Sequence, residues 1–246
     1  MSIAVVILTF NEEKNIVQAI ESAKLVTEEI LIVDSGSTDK TVQLAEQNGV
    51  RVVFQQFEDD FSRQRNFALD NTKANWLLHI DADERISTEL AENIKKAVTT
   101  NTEKVYSFRR SNILFGKKFK YGVFRPDKVK RLFPRNGGVW QGKVHESLKS
   151  DLPEADLPGQ MVHYPYENWE QYFVKLNKYT SLWAADAHKK GKRTSMAGAL
   201  LHAIFSFVKV AFINLGILDG LFGIVMCCFH FAYTLAKYIK LYKLQD

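Results

Sequence analysis

WLLHIDADER, residues 76–85, sets an apolar run directly against a cluster of charge. Trp76, Leu77 and Leu78 read as a core strand, and Asp81, Asp83, Glu84 and Arg85 follow at once. In extended backbone, residues two apart project to the same side, so Asp81 and Asp83 can converge on one cation. The same letters also read as a strand running into a solvated turn, with Glu84 and Arg85 opening the next loop and helix. The surrounding chain decides what kind of strand this is.

Upstream, strands and helices alternate. Ile3 to Leu8 is a continuous aliphatic run, and Asn11 to Lys24 repeats apolar residues at Ile16, Ala19, Ile20 and Ala23 with a helical period. Ile30 to Val33 is a second strand. Ser37, Thr38 and Asp39 are residues that start a helix, here Thr41 to Asn48, and Gly49 suits its C-terminal cap. Val50 to Phe54 is a third strand, Phe61 to Asn71 a helix, and Trp76 to Ile80 a fourth strand. Strand–helix–strand repetition with short connections predicts right-handed crossovers and an α/β fold with a mostly parallel sheet covered on both faces. Ligands of such sheets gather at the carboxyl ends of the strands, where Asn11, Asp34 and Asp81 fall.

Downstream of Thr102 the pattern loosens. Tyr106 to Arg110 and Lys128 to Phe133 read as strands, proline-bearing Leu152 to Gly159 as a surface loop, and Trp169 to Lys190 as a helix. Ala199 to Ala236 carries Lys209 and Asp219 as its only firm charges. A bilayer core needs about 20 mostly apolar helical residues, close to the length of Leu221 to Ala236. Spanning, lying in the interface, and packing as a helical hairpin or oligomer contact are all open to such a run. The eight Lys and Arg against three Asp between Asp186 and Asp246 favour an anionic membrane surface. The organisation expected is residues 1–100 and 101–168 as two halves of one domain, and 169–246 as a helical, membrane-associating or oligomerising region.

The totals agree with a globular chain. The 246 residues are 25% charged and 46% hydrophobic, with a net charge of +5 that points weakly to an anionic partner. Nothing in the pattern implies nucleic acid. Cys227 and Cys228, adjacent in the apolar run, read as buried thiols of a reducing compartment. Ser2 to Phe10 is too short for a signal peptide and leads straight into a polar turn, so the domain is expected to face the cytoplasm.

Each candidate residue has an ordinary reading beside its chemical one. Asp34 heads DSGSTDKT; a carboxylate at a strand end accepts from a ribose or base, while the turn explains Ser37 and Asp39 by itself. Arg65 in FSRQRNFAL shares a helix face with Phe61 and Leu69, which turns it toward the fold and a phosphate, or leaves it as a surface arginine. Carboxylates such as Asp81 and Asp83 are hard ligands suited to Mg²⁺ or Mn²⁺. His145 and Glu146 follow the glycine-rich RNGGVWQGK; Glu146 is a candidate general base or a solvated loop residue. His163, in MVHYPY, is a candidate ligand or a structural histidine.

Taken together and in order, VVILTFNEEKNI, LIVDSGSTDKT, RQRNFAL and WLLHIDADER resemble the nucleotide-sugar half of an inverting family 2 glycosyltransferase. RRSNILFGKKFKYG, PDKVKRLFPR and GKVHESL are similar to the acceptor half of bacterial lipopolysaccharide and lipooligosaccharide inner-core β-1,4-glucosyltransferases. The resemblance runs from Ile3 to about Tyr166 and implies the GT-A fold, a Rossmann-like domain with one mixed sheet. It implies that Thr9, Asn11 and Glu12 line the nucleobase pocket, that Asp34 meets uracil or ribose, and that Arg65 approaches the base or diphosphate. Asp81 then faces the ribose and metal, Asp83 ligates the metal, Arg131 holds the acceptor or leaving diphosphate, and Glu146 is the base. Many members carry Glu-Asp where this chain has His145-Glu146. A UDP-sugar donor, a divalent cation, a lipid-linked or envelope glycan acceptor and the cytoplasmic face of the inner membrane complete the expectation. Polyprenyl-phosphate sugar transfer and a non-catalytic nucleotide-sugar-binding scaffold are the alternatives.

Overall fold

The structure is a computed structural model and describes residues 1–58, 60–100, 102–142 and 146–245, so His145 lies outside the described residues. The chain divides into two compact units. One is Met1–Arg110 with Asp127–His163, the other Ser111–Pro126 with Tyr164–Asp246.

In the first unit the alternation read from the sequence is present. It runs β1 (Ile3–Thr9), α1 (Ile16–Lys24), β2 (Ile30–Asp34), α2 (Thr41–Gln47), β3 (Arg51–Phe54), α3 (Phe61–Asp70) and β4 (Trp76–Asp81). Then come β5 (Glu84–Ile86), α4 (Thr88–Thr100) and β6 (Val105–Leu114), whose end pairs with β7 (Lys117–Lys118) inside the second unit. β8 (Asp127–Pro134), β9 (Val139–Gln141), β10 (Ser147–Lys149) and β11 (Glu154–His163) return to the first unit. The main sheet has the order β3-β2-β1-β4-β8-β6-β11-β5. Its first four strands are mutually parallel, and β8 then pairs antiparallel with both β4 and β6. β9 and β10 form a hairpin outside this sheet.

Strand parity sorts the core. Ile3, Val5 and Ile7 of β1 pack with α1 and α4 on one face, while Ala4, Val6 and Leu8 pack with Ala68 of α3, Trp140 and Leu148 on the other. On β4, Trp76, Leu78 and Ile80 join the first face and Leu77 the second. His79 and Asp81 therefore share the side of α3. Every residue of β1 is buried, as expected of a strand with covered faces, which explains its unbroken aliphatic run.

Two stretches differ from their sequence reading. Leu152 to Gly159 is not a surface loop: β11 covers it from Glu154 onward and, further along, pairs with β5 through Met161↔Ile86 and His163↔Glu84. Its Pro158 and positive-φ Gly159 disguise it, and Gly159 is needed where a Cβ would stand 2.5 Å from the Leu90 nitrogen of α4. Glu84 and Arg85 open no helix; they form the edge strand β5, and Glu84 is fully buried.

The second unit is mostly helical: α5 (Trp169–Lys189), α6 (Met196–Val208) and α7 (Gly220–Lys243), with a π-helical turn and a 3₁₀ turn joining the last two. Met196–Ile213 and Gly216–Lys243 are long and apolar enough to cross a membrane by length and composition. Much of that apolar surface faces outward, with Leu201 67%, Phe205 65%, Ile213 68% and Leu221 79% exposed. Asp219 is buried instead and accepts from the backbone N–H of Tyr121 at 2.9 Å. Cys227 is a buried thiol as expected, whereas Cys228, one position on and so about 100° around the helix, is exposed.

Candidate active site

The carboxyl ends of β1 and β2 build one side of the site, where Thr9 pairs in register with Asp34. Asp34 is buried; its Oδ2 accepts from the backbone N–H of Gly36 at 2.8 Å and of Ser37 at 2.9 Å, and the Ser37 hydroxyl donates to its Oδ1. The carboxylate thus shapes the DSGS loop that follows β2. Asn11, at a left-handed φ of 54°, ties the neighbouring loop to it: its N–H donates to Ser37 Oγ at 2.8 Å and its Oδ1 accepts from the Thr38 N–H at 2.8 Å. Asparagine tolerates this backbone better than most residues. The Glu12 N–H donates to Thr41 Oγ1, and its carboxylate accepts from Asn15 Nδ2 at 2.7 Å, closing the start of α1. Thr9 Oγ1 is buried and has no partner among the described residues.

The centre is a charge network at the end of β4. Arg65 of α3, 1% exposed, donates through Nη2 to Asp81 Oδ1 at 2.8 Å and through Nε to Glu146 Oε1 at 3.1 Å. Arg131 of β8 donates to the other oxygen, Asp81 Oδ2, at 3.1 Å. Burial opposes charge on Asp81, but the two guanidiniums outweigh it and hold the carboxyl well below the ordinary carboxylate range. Arg131 is likewise pushed up, burial opposing and Asp81 and Glu84 prevailing. Both guanidiniums lie over Trp140, with Arg65 at 4.8 Å and Arg131 at 5.8 Å from the ring centroid. The Nη1 atoms of Arg65 and Arg131 are buried without a partner among the described residues, so each keeps donor capacity in reserve.

Beneath this network lies Glu84. Its Oε2 accepts from the Asp81 N–H at 2.9 Å and its Oε1 from Arg110 Nη1 at 2.9 Å. Arg110 is itself clamped by Asp127 at 3.1 and 2.8 Å. β4 ends at Asp81 and residues 82–83 turn, so strand alternation alone does not set the direction of the Asp83 side chain. Asp83 Oδ2 lies 3.3 Å from His163 Nε2, at the end of β11. Burial opposes charge on His163, but Asp83 and Glu84 raise its pKa above the ordinary value. Among the described residues no group of three His, Cys, Asp or Glu could hold a metal alone. A pair such as Asp83 and His163 still fits Mg²⁺ or Mn²⁺, which commonly take few protein ligands and complete their shells with water and phosphate oxygens.

The arrangement brings Arg65, Asp81, Arg131 and Glu146 into direct contact, with Thr9 on the strand beside β4 and Asp34 one strand further. Sequence reasoning missed Glu84, Arg85, Arg110, Trp140 and Asn66. Arg85 reaches back to α1, donating through Nη2 to the Asn15 carbonyl at 3.0 Å. The tryptophan after a glycine-rich turn was the one visible signal, since a large aromatic there needs a core to enter. His79, fully buried and stacked on Phe133, is kept neutral by burial and by Arg65 and Arg131.

The family model described as "Glycosyl transferase family 2" matches residues 4–145. An uncharacterized glycosyltransferase of Rickettsia bellii is 30% identical, the alignment covering 99% of this chain and 86% of that protein. The lipopolysaccharide core biosynthesis glycosyltransferase LpsC of Rhizobium meliloti is 28% identical, covering 96% of this chain and 90% of LpsC. Among solved structures, S. aureus TarS 1-349 in complex with UDP-GlcNAc superposes with a TM-score of 0.51 at 17% identity, covering 99% of this chain and 90% of that one.

Proposed function

The chain belongs to glycosyltransferase family 2, has the GT-A fold, and is a glycosyltransferase; from that premise we propose that it moves a hexose, glucose in the first instance, from a UDP-sugar to a hydroxyl of a lipopolysaccharide-type envelope glycan with inversion. The observation that carries the reading is Arg65 bridging Asp81 and Glu146 at the carboxyl end of the sheet. The likeness to LpsC supports the acceptor class.

The residues divide the work as follows. Thr9, Asn11, Glu12 and Asp34 form the nucleoside side, where the DSGS loop leaves backbone and hydroxyl groups close to a base and ribose. Arg65 and Arg131, each with a donor unpaired among the described residues, sit where charge builds on a departing diphosphate, so their stabilisation grows as the reaction proceeds. Asp83 and His163 would hold a divalent cation, with Asp81 on its ribose side; the chemistry such a cation supplies is neutralisation of diphosphate charge. Glu146 takes the proton of the acceptor hydroxyl as that oxygen forms its bond to the anomeric carbon. The bond from that carbon to the UDP oxygen breaks on the opposite face, UDP leaves with the electron pair, and an α-linked donor becomes a β-glycoside.

The second unit supports work at the inner face of the cytoplasmic membrane. Lys209 is exposed between exposed Phe205, Val208 and Phe212, which suits helices lying at headgroup level and opposes burial of that charge in hydrocarbon. The experiment is a thermal-shift screen of UDP-glucose, UDP-galactose and their N-acetylated counterparts with and without Mg²⁺ or Mn²⁺. A metal-dependent shift with one UDP-sugar is expected. No shift with any of them overturns the donor assignment.

A further inference from the structure

Glu146 stands just ahead of β10, in a hairpin outside the main sheet. Trp140 of β9 lies opposite Leu148 of β10. A hairpin this short does not hold a side chain to catalytic tolerance by its own ladder, so something in the domain must fix it. The fixing group is the side chain of Asn66, half-buried on α3. Its Nδ2 donates to the Trp140 carbonyl at 2.9 Å and its Oδ1 accepts from the Trp140 N–H at 2.9 Å. One carboxamide thus satisfies both backbone groups of one residue, as a neighbouring strand would. In an antiparallel strand these two groups point to the same side, so Asn66 covers the β9 edge that faces away from β10.

The same tryptophan is anchored a second way. Trp140 is 4% exposed, and its ring centroid lies 4.8 Å from the Arg65 guanidinium, which in turn donates to Glu146. Arg65 and Asn66 are consecutive in α3, so one helical turn grips the hairpin at its strand through Asn66 and at its carboxylate through Arg65.

We propose that Asn66 is a positioning residue: its carboxamide fixes the β9–β10 hairpin and thereby sets where the Glu146 carboxylate meets the acceptor hydroxyl. The catalytic half of this statement rests on Glu146 being the base. The structural half does not.

The test uses the full chain with Asn66→Ala, Asn66→Asp, Glu146→Gln and the Asn66→Ala/Glu146→Gln double variant. Hydrogen–deuterium exchange is followed on peptides covering residues 137–142. UDP release from whichever of the four UDP-sugars the wild type hydrolyses, and UDP binding by calorimetry, are measured beside it. Asn66→Ala is expected to speed exchange at the Trp140 amide and to lower kcat on the order of tenfold to a hundredfold, with UDP affinity unchanged. Asn66→Asp keeps the acceptor and loses the donor, and falls between Asn66→Ala and wild type. The double variant matches Glu146→Gln alone, because Asn66 acts only through Glu146.

Unchanged exchange at Trp140 in both Asn66 variants overturns the proposal, as does wild-type kcat in Asn66→Ala. A loss of UDP affinity equal to the loss of kcat also overturns it, as that marks general damage to the site. Wild-type turnover in Glu146→Gln refutes the base reading, and faster exchange in Asn66→Ala then still identifies the clamp. If the wild type hydrolyses none of the four sugars, the exchange result alone decides.

Discussion

Replacing Arg65 by methionine removes the guanidinium and keeps most of the aliphatic stem, so the change isolates the charge. Removing one partner of a buried ion pair costs about 3–5 kcal/mol, because the other partner is left uncompensated. Arg65 is 1% exposed, and it serves two carboxylates at once. Two features temper the loss. Asp81 keeps Arg131, and the Asp81 and Glu146 side chains are 32% and 16% exposed, so water reaches both. The lower end, about 3 kcal/mol, is therefore expected. For a chain of this size about 1 kcal/mol corresponds to roughly 2–4 °C, so the melting temperature should fall by roughly 6–12 °C. The assay is calorimetric unfolding beside a control, Arg63→Met, which removes a guanidinium two residues away. Arg63 is 52% exposed and pairs with Glu58 at the surface, so that variant should stay within about 1 kcal/mol of wild type. Equal melting temperatures for Arg65→Met and Arg63→Met would refute the claim that Arg65 holds the network together.

Asp81 supplies a pH dependence. Its folded carboxyl lies below the ordinary value, so the stability it contributes is present above the unfolded value of about 3.9 and is lost as pH falls through the folded one. Asp81→Asn should accordingly melt below wild type at neutral pH, with the gap closing on acidification; a gap independent of pH contradicts this. Gly159→Ala should destabilise by about 2–4 kcal/mol, combining a left-handed backbone with a Cβ driven into Leu90, and a melt unchanged from wild type would show that the packing there yields. Chelation should remove the Mg²⁺-dependent part of any UDP-induced thermal shift, and Asp83→Ala should abolish that part; persistence in both would leave Asp83 without a metal role. Leu201→Asp/Phe205→Asp should abolish flotation with vesicles containing phosphatidylglycerol, and wild-type flotation by that variant, or equal binding to pure phosphatidylcholine vesicles, would oppose the interfacial reading.

What could be read in the letters followed from burial. β1, β2 and β4 are covered strands, so their apolar runs announce themselves, and Asp34 and Asp81 at the ends of β2 and β4 stand out because they interrupt those runs. Glu84 stayed hidden for the opposite reason. A glutamate after Asp81 and Asp83 reads as more solvent-facing charge, and its complete burial follows from Arg110, 26 residues away, and from β11 pairing over it. The clamp on Trp140 was equally illegible, since Asn66 and Trp140 are 74 residues apart and nothing local marks an asparagine that serves a distant backbone. Asp81 and Asp83 show the limit of periodicity. Spacing of two implies a common side only while the strand continues, and here it ends between them.

The most direct test of the account is transfer by Glu146→Gln under single-turnover conditions, measured as release of UDP from the donor identified by the screen, with UDP binding checked in the same preparation. The account predicts a folded protein that binds UDP as the wild type does and releases essentially none by transfer. Release at the wild-type rate would contradict it.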